Sequence, residues 1–247
     1  MKAIIIGAGT GKRIGEFAAQ SPKSLLVIND KTILENQLEI LRKNNINEII
    51  MITGLYSEKF TLPDISYVHD SNYSEHDILG SLMVAKEHIC GNTVILYSDI
   101  LFDDSILKSI LKSTSDISIA VDLEWENAYL NRTEHPKSEA ENVLFDANGK
   151  ISKIQKNIHN SDNKIGEFLG IIKLSTFGSK KFLSKINELQ SSHKGKFHTA
   201  SSLNKAYLTD MIQEFIDSGI DVLPAFVSGK WCEVDTLQDL TRAKNLF

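Results

Sequence analysis

A chain of 247 residues with 42% apolar and 24% charged residues can bury one substantial core, which excludes intrinsic disorder, a collagen-type repeat and a disulfide-stapled scaffold. A net charge of −5 and a pI near 5.8 argue against a broad nucleic-acid platform but leave room for a local basic pocket around a small anion. Cys90 and Cys232 lie far apart and in no metal-type spacing, so free thiols in a reducing compartment are expected.

The opening Met1-Lys2-Ala3-Ile4-Ile5-Ile6 is too short an apolar run for a signal peptide. No run approaches the ~20 apolar residues of a membrane span. The expectation is a cytoplasmic protein with neither a membrane nor a nucleic acid as partner. Ala3 to Ile6 reads as a strand buried on both faces, broken by glycines. Thr32 to Asn44 repeats Ile33, Leu34, Leu38 and Leu41 at helical spacing. Glu48–Thr53 and Ile65–His69 read as strands, Leu79–His88 as a helix, Thr93–Tyr97 as a fourth strand and Ser105–Lys112 as a helix.

This alternation predicts a doubly wound parallel sheet over the first 120 residues or so, with the active site beyond the carboxyl ends of its strands. The second half is less regular. Ile117–Val121 reads as a strand and Trp125–Glu139 as a polar excursion. Val143–Phe145 and Ile151–Ile154 flank the hairpin-type turn Asp146-Ala147-Asn148-Gly149. Phe168–Leu174 and Val222–Val227 read as strands; Thr176–Gln190, Ser202–Ser218 and Leu237–Leu246 read as helices. No linker or repeat divides the chain, so a single domain over 1–247 is expected.

The first strand runs into Gly7-Ala8-Gly9-Thr10-Gly11-Lys12-Arg13. Glycines allow close backbone approach, so their N–H groups can converge on phosphate oxygens beside the charges of Lys12 and Arg13. The spacing fits neither a P-loop nor a dinucleotide fingerprint, because Lys12 stands where the latter needs Gly or Ala. Ser21-Pro22-Lys23 follows, and Pro22 stiffens the approach of a lysine suited to neutralising charge at an α-phosphate. Gly-x-Gly-x-Arg followed by Pro-Lys after an N-terminal strand resembles the NTP-transferase (nucleotidyltransferase) family, over nearly the whole chain. Gly7 stands where that family usually has Ala.

The resemblance implies a Rossmann-like α/β fold: a mixed sheet sandwiched by helices, of the nucleotidyltransferase (GT-A-like) type. It implies a nucleotide-binding half over about 1–120 and an acceptor-binding half over about 121–247. It implies catalytic roles for Lys23 and Arg13 and a phosphate-binding role for Gly7, Ala8, Gly9, Thr10, Gly11 and Lys12. It also implies Mg²⁺ held by Asp99, at the end of the fourth strand, and by Asp235, before the last helix. An alternative role for Asp235 is capping that helix. Asp103 and Asp104 read as the cap region of the helix at Ser105. Gly80 and Ser81 fall in the region that contacts base and ribose in the family, although His76-Asp77 stands where relatives tend to carry Thr-Asn.

From Asp122 through Arg132, with Glu139-Ala140-Glu141-Asn142-Val143 and Gly166-Glu167-Phe168-Leu169-Gly170, the chain resembles CTP-dependent cytidylyltransferases of phosphonate, phosphocholine and phosphoglutamine pathways. That resemblance implies CTP and a small phosphorylated or phosphonate acceptor as substrates, in surface polysaccharide (capsule) decoration. Arg132 could grip the acceptor phosphate as a fork; Asp122, Glu139 and Glu167 could receive its ammonium or amide. Trp125 and Tyr129, four apart, read as core packing or as half of an aromatic cage. A homodimer is compatible with the resemblance. The rival readings are a sugar-1-phosphate nucleotidyltransferase and a non-catalytic nucleotide-binding module.

Overall fold

The computed structural model describes residues 1–9, 21–159 and 164–247. In chain order the elements are β1 (Lys2–Gly7), β2 (Val27–Ile28), β3 (Lys31–Thr32), α1 (Ile33–Lys43), β4 (Glu48–Thr53), β5 (Ser66–His69) and α2 (Ile78–Val84). Then come β6 (Thr93–Tyr97), β7 (Ile100–Phe102), α3 (Asp104–Leu111), β8 (Ile117–Asp122), β9 (Glu141–Phe145), β10 (Ile151–Lys156) and β11 (Ile165–Leu174). The chain closes with α4 (Thr176–Ser192), α5 (Leu208–Asp217), β12 (Leu223–Val227), β13 (Trp231–Glu233) and α6 (Leu237–Leu246).

A nine-stranded mixed sheet, in the order β10-β9-β11-β6-β1-β4-β5 with β8 and β12 extending from β11, runs through both halves of the chain. The strands β6, β1, β4 and β5 are parallel, and β11 runs antiparallel to β6. In β1, Ile4 and Ile6 enter one apolar cluster and Ala3 and Ile5 the other, so both faces of the sheet are covered. This is why β1 reads as a continuous apolar run rather than as an alternating one.

Several of the helices start where side chains satisfy free N–H groups. Thr32 and Glu35 form a reciprocal capping box on α1, and Thr236 and Asp239 form the same box on α6. Asn36 adds to the first by donating its side-chain amide to the Thr32 carbonyl at 2.9 Å. Asp103 caps α3 by accepting from the Ser105 and Ile106 amides.

Three segments differ from the sequence expectation. The helix expected over Leu79–His88 stops at Val84, and Lys86–His88 is a separate 3₁₀ turn. The helix expected from Ser202 begins only at Leu208, after a 3₁₀ turn at Leu203–Lys205. The two-stranded ribbon β7–β13 has no counterpart in the sequence pattern: its strands are three residues long and far apart in sequence, and its signal is tertiary pairing rather than periodicity.

Register positions the site. Gly7 pairs with Thr53 and Ile6 with Tyr97, so β1, β4 and β6 end level with one another. The segments Gly7–Gly9, Thr53–Gly54 and Ser98–Asp99 therefore leave the sheet at one edge. The ribbon completes that edge: Glu233 pairs with Ile100, and the Val234 amide donates to the Asp99 carbonyl at 2.9 Å, which sets Asp235 beside Asp99. In β11 the register shifts between Phe168 and Ile172, and Gly170 sits there at φ +66°. A Cβ at Gly170 would meet the Tyr97 ring at 2.3 Å, so only glycine lets this ring lie against the strand.

Candidate active site

A cleft of about 400 Å³ opens at the carboxyl ends of β1 and β6, lined among others by Gly7, Ala8, Gly9, Lys23, Ser81 and Asp99. A Cβ on Gly7 would run into the Met51 side chain at 2.2 Å, whereas one on Gly9 would meet nothing within 4 Å among the described residues. Gly7 is thus required by packing, and Gly9 lies on the cleft lining. The expected contacts Thr10, Gly11, Lys12 and Arg13 lie outside the described residues.

Gly80 has a different role from the one expected. A Cβ there would meet the Asn204 carbonyl oxygen at 2.2 Å and the His76 Cβ at 2.9 Å, and Gly80 does not line the cleft. Its missing side chain seats His76 and the 3₁₀ turn against α2. Ser81 does line the cleft, and its hydroxyl donates to Asp70 at 2.8 Å.

Lys23 follows Pro22 in a short 3₁₀ turn, and its ammonium stands between two carboxylates, Asp99 at 3.1 Å and Asp235 in closer contact. Burial works against the charged ammonium, but Asp99 and Asp235 outweigh it and raise its pKa above the ordinary lysine value. Both aspartates are held from behind. The buried Gln37 amide on α1 donates to the carbonyls of Tyr97 and Ile100, each at 2.8 Å, and so clamps the turn that presents Asp99. Asp239 accepts from the backbone amides of Asp235 and Thr236, and Arg132 donates to Asp239 at 2.6 Å. Asp235 is therefore not the cap of α6; Thr236 is.

A second, deeper cavity of about 90 Å³ shares Ile78, Asp99 and Tyr207 with the cleft. Its walls carry Glu139, Glu141, Glu167 and Glu233 together with Tyr97 and Trp231. Burial pushes the Glu141 carboxyl up to about 8, against the pull of Lys156. Burial, reinforced by Asp235 and Asp99, pushes Glu233 up to about 8 as well. Glu167 is likewise raised by burial; one of its oxygens accepts from the Tyr129 hydroxyl at 2.6 Å, and the other is buried with no hydrogen-bond partner among the described residues. Lys156 reaches Glu139 at 3.1 Å and lies over the Tyr207 ring. A cavity so crowded with carboxyl groups favours a cation.

Residues 3–202 match the model of the MobA-like NTP transferase domain. The chain belongs to that family. It is a nucleotidyltransferase. It is 24% identical to the CTP:phosphoglutamine cytidylyltransferase of Campylobacter jejuni, over 97% of this chain and 98% of that protein. It is 33% identical to the choline-phosphate cytidylyltransferase of Streptococcus pneumoniae, over 46% of this chain and 52% of that one. Among solved structures, the CTP:phosphocholine cytidylyltransferase of Streptococcus pneumoniae superimposes with a TM-score of 0.72 at 22% identity, covering 99% of this chain and 97% of that one. That likeness concerns the fold. No helix among the described residues is long and apolar enough to cross a membrane.

The transferase gathers Lys23, Asp99 and Asp235 at one point, and places Glu139 and Glu167 on the adjoining cavity. Two expected acceptor contacts lie elsewhere. Arg132 is buried, bound to Asp239 and to the Glu233 carbonyl and stacked near Tyr129, so its fork is not turned to the cavity. Asp122 accepts from the Trp231 indole at 2.8 Å and from the Glu124 amide, behind the cavity wall. Trp125 and Tyr129 meet edge to face at 5.5 Å within the core, as packing rather than as a cage.

Sequence reasoning missed Glu141, Glu233 and His135. His135 is buried, with Nδ1 3.2 Å from Asp235 and Nε2 3.5 Å from Glu233. These three residues, His135, Glu233 and Asp235, offer ligand atoms within 4.8 Å of one another. The oxygen pair Asp99 and Asp235 suits a hard divalent cation better than this mixed set, because Mg²⁺ prefers oxygen ligands. Both carboxylates already converge on one positive charge, the Lys23 ammonium, so the arrangement fits a cation.

Proposed function

We propose that this nucleotidyltransferase moves CMP from CTP to a small phosphorylated or phosphonate acceptor bearing a cationic or amide group, of the phosphoglutamine or 2-aminoethylphosphonate type, with release of pyrophosphate. The observation that carries this reading is the junction: the nucleotide cleft and the carboxyl-lined cavity meet at Asp99, where Lys23 also stands. The names of two relatives, a phosphoglutamine and a choline-phosphate cytidylyltransferase, support CTP and an acceptor of this class.

An acceptor phosphate or phosphonate oxygen attacks the α-phosphorus. The new O–P bond forms as the bond to the β-phosphate oxygen breaks, and pyrophosphate carries away the charge. The acceptor oxygen is already ionised near neutrality, so no general base is needed; catalysis is positioning and charge neutralisation. Lys23 faces the junction and meets the charge that grows on the phosphoryl oxygens. Gly7 to Gly9 border the polyphosphate, and Arg13 is assigned to the same end by its place in the glycine loop. Glu139, Glu141 and Glu167 receive the acceptor's ammonium or amide. A Mg²⁺ ion, when bound by Asp99 and Asp235, would supply Lewis-acid neutralisation of phosphate charge. A role in capsule or other surface-polysaccharide decoration accords with such an acceptor.

The test is acceptor-dependent pyrophosphate release with Mg²⁺, crossing the four common NTPs with phosphoglutamine, 2-aminoethylphosphonate, phosphocholine and glucose 1-phosphate. Activity confined to CTP with a nitrogen-bearing acceptor is expected. Preference for the sugar phosphate would replace the reading with a sugar-1-phosphate nucleotidyltransferase, and nucleotide binding without release would make the protein a binding module.

A further inference from the structure

The cavity beside the cleft carries a cation that the transfer chemistry leaves unused. Lys156 ends β10, and the pairing of β10 with β9 sets it directly opposite Glu141. Both side chains line the cavity. Residues paired across adjacent strands have Cβ atoms about 4.5–5.5 Å apart. A cationic and an acidic side chain therefore stand close enough to reach one small head group together.

The charges on the whole lining say which group of a ligand each side chain suits. Lys156 is the one lysine or arginine among the described residues there. Asp99 and Asp235, on the same lining, are engaged by Lys23 at the transfer junction. His135 lies between Asp235 and Glu233, at 3.2 and 3.5 Å. Glu139, Glu141 and Glu167 remain on the side of Lys156. Glu167 is 4% exposed and has one oxygen without a hydrogen-bond partner among the described residues, so a donor from a ligand suits it. Lys156 itself is not sealed against Glu139. Their contact is 3.1 Å, but the two side chains are 35% and 39% exposed, and an ion pair so open to water is weak. An ammonium has three donors, so it can hold Glu139 and an entering carboxylate at once. Burial works against this ammonium, but Tyr207, Glu141 and Glu139 outweigh it and raise its pKa, so the charge is present near neutrality.

The rings of the cavity speak against a quaternary ammonium, which makes no hydrogen bonds and needs open aromatic faces. Lys156 already lies over the Tyr207 ring at 4.8 Å. The Tyr97 ring lies against Gly170, where a Cβ would meet it at 2.3 Å, and meets Phe168 edge to face at 6.1 Å.

We propose that Lys156 is a specificity-determining residue that binds a carboxylate on the acceptor, so that the acceptor's head group is an α-amino acid, with its carboxylate on Lys156 and its ammonium on Glu141 and Glu167. The inference deepens the acceptor reading given above and rests on it.

The experiment uses two pairs of acceptors whose members differ by one carboxylate: O-phosphoserine against phosphoethanolamine, and 2-amino-3-phosphonopropionate against 2-aminoethylphosphonate. The readout is the ratio of kcat/KM within each pair, from pyrophosphate release with CTP and Mg²⁺, for the wild-type chain, Lys156→Met and Lys156→Arg, with folding checked by circular dichroism. The wild type is expected to prefer the carboxylate-bearing member. Lys156→Met should lower that ratio about ten- to hundredfold, the scale of one hydrogen bond to a charged group, and mainly through KM. Lys156→Arg, which keeps the cation, should retain most of the preference. A wild type that favours the members without a carboxylate overturns the inference and leaves the transfer reading standing. So does an unchanged ratio in folded Lys156→Met. A wild type that releases no pyrophosphate with any acceptor refutes the transfer reading, and calorimetric binding of the same pairs then decides the inference. Tighter binding of the carboxylate-bearing member, lost in Lys156→Met, upholds it; equal binding or none overturns it.

Discussion

The cleft proposed for the nucleotide is lined by turns at the ends of β1 and β6 and by the start of α2, and its polar side chains include Lys23, Asp99, Asp77, Ser81 and Lys205. The cavity beside it is walled by side chains from β6, β9, β10, β11 and β13, which meet only after long-range pairing, and its carboxyl groups are buried. In the proposed reading the first region takes the polyphosphate. The second holds several carboxyl groups in low dielectric, two of them with pKa values near 8, which an entering cation would stabilise in their ionised form. In the proposed reading, a site for an anion and a site for a cation thus share one wall at Asp99.

The largest effect expected falls on that wall. Asp99→Ala should lower acceptor-dependent pyrophosphate release by about 10²–10³-fold, the scale of removing one group aimed at developing charge, with the circular-dichroism spectrum unchanged. Next comes Arg132, which separates the two regions by function. Removing it leaves Asp239 buried without its cation, so Arg132→Ala should cost about 3–5 kcal/mol of stability in urea unfolding. An intact stability with only a raised KM for the acceptor would return Arg132 to the role of an acceptor fork.

A smaller effect tests the cavity's charge state. Glu141 is held near 8 in the folded chain against an ordinary 4.5, because burial disfavours its anion. Between about pH 4.5 and 8 the unfolded chain has released this proton and the folded chain has not, so this group's contribution to stability falls as pH rises through that window. Glu141→Gln removes the dependence. Urea midpoints should therefore show the variant gaining on the wild type from about pH 5 to about pH 8; a constant difference would mean that Glu141 is ionised in the fold.

Local pattern explains what can be read from the chain alone. The apolar runs of β1, β4 and β6 and the spacing of α1 carry their own periodicity, and Asp99 can be placed because it ends a strand. Lys23 stands out through Pro22. Arg132 misleads because a charged side chain in a polar excursion looks available until tertiary packing buries it against Asp239, and Asp122, half-buried at the end of β8, is engaged by the Trp231 indole. Glu141, Glu233 and His135 carry no local signal: the two glutamates become notable only when β9 pairs with β11 and β13 pairs with β7, and His135 only when it meets Asp235.

The measurement that bears most directly on the place of transfer is turnover of Lys23→Ala. Lys23 is the group that touches both aspartates at the junction of the two regions. With Mg²⁺, CTP and the best acceptor, the folded variant should lose at least about 10²-fold in pyrophosphate release. Near-wild-type turnover in that folded variant would contradict the assignment of the junction as the place of transfer.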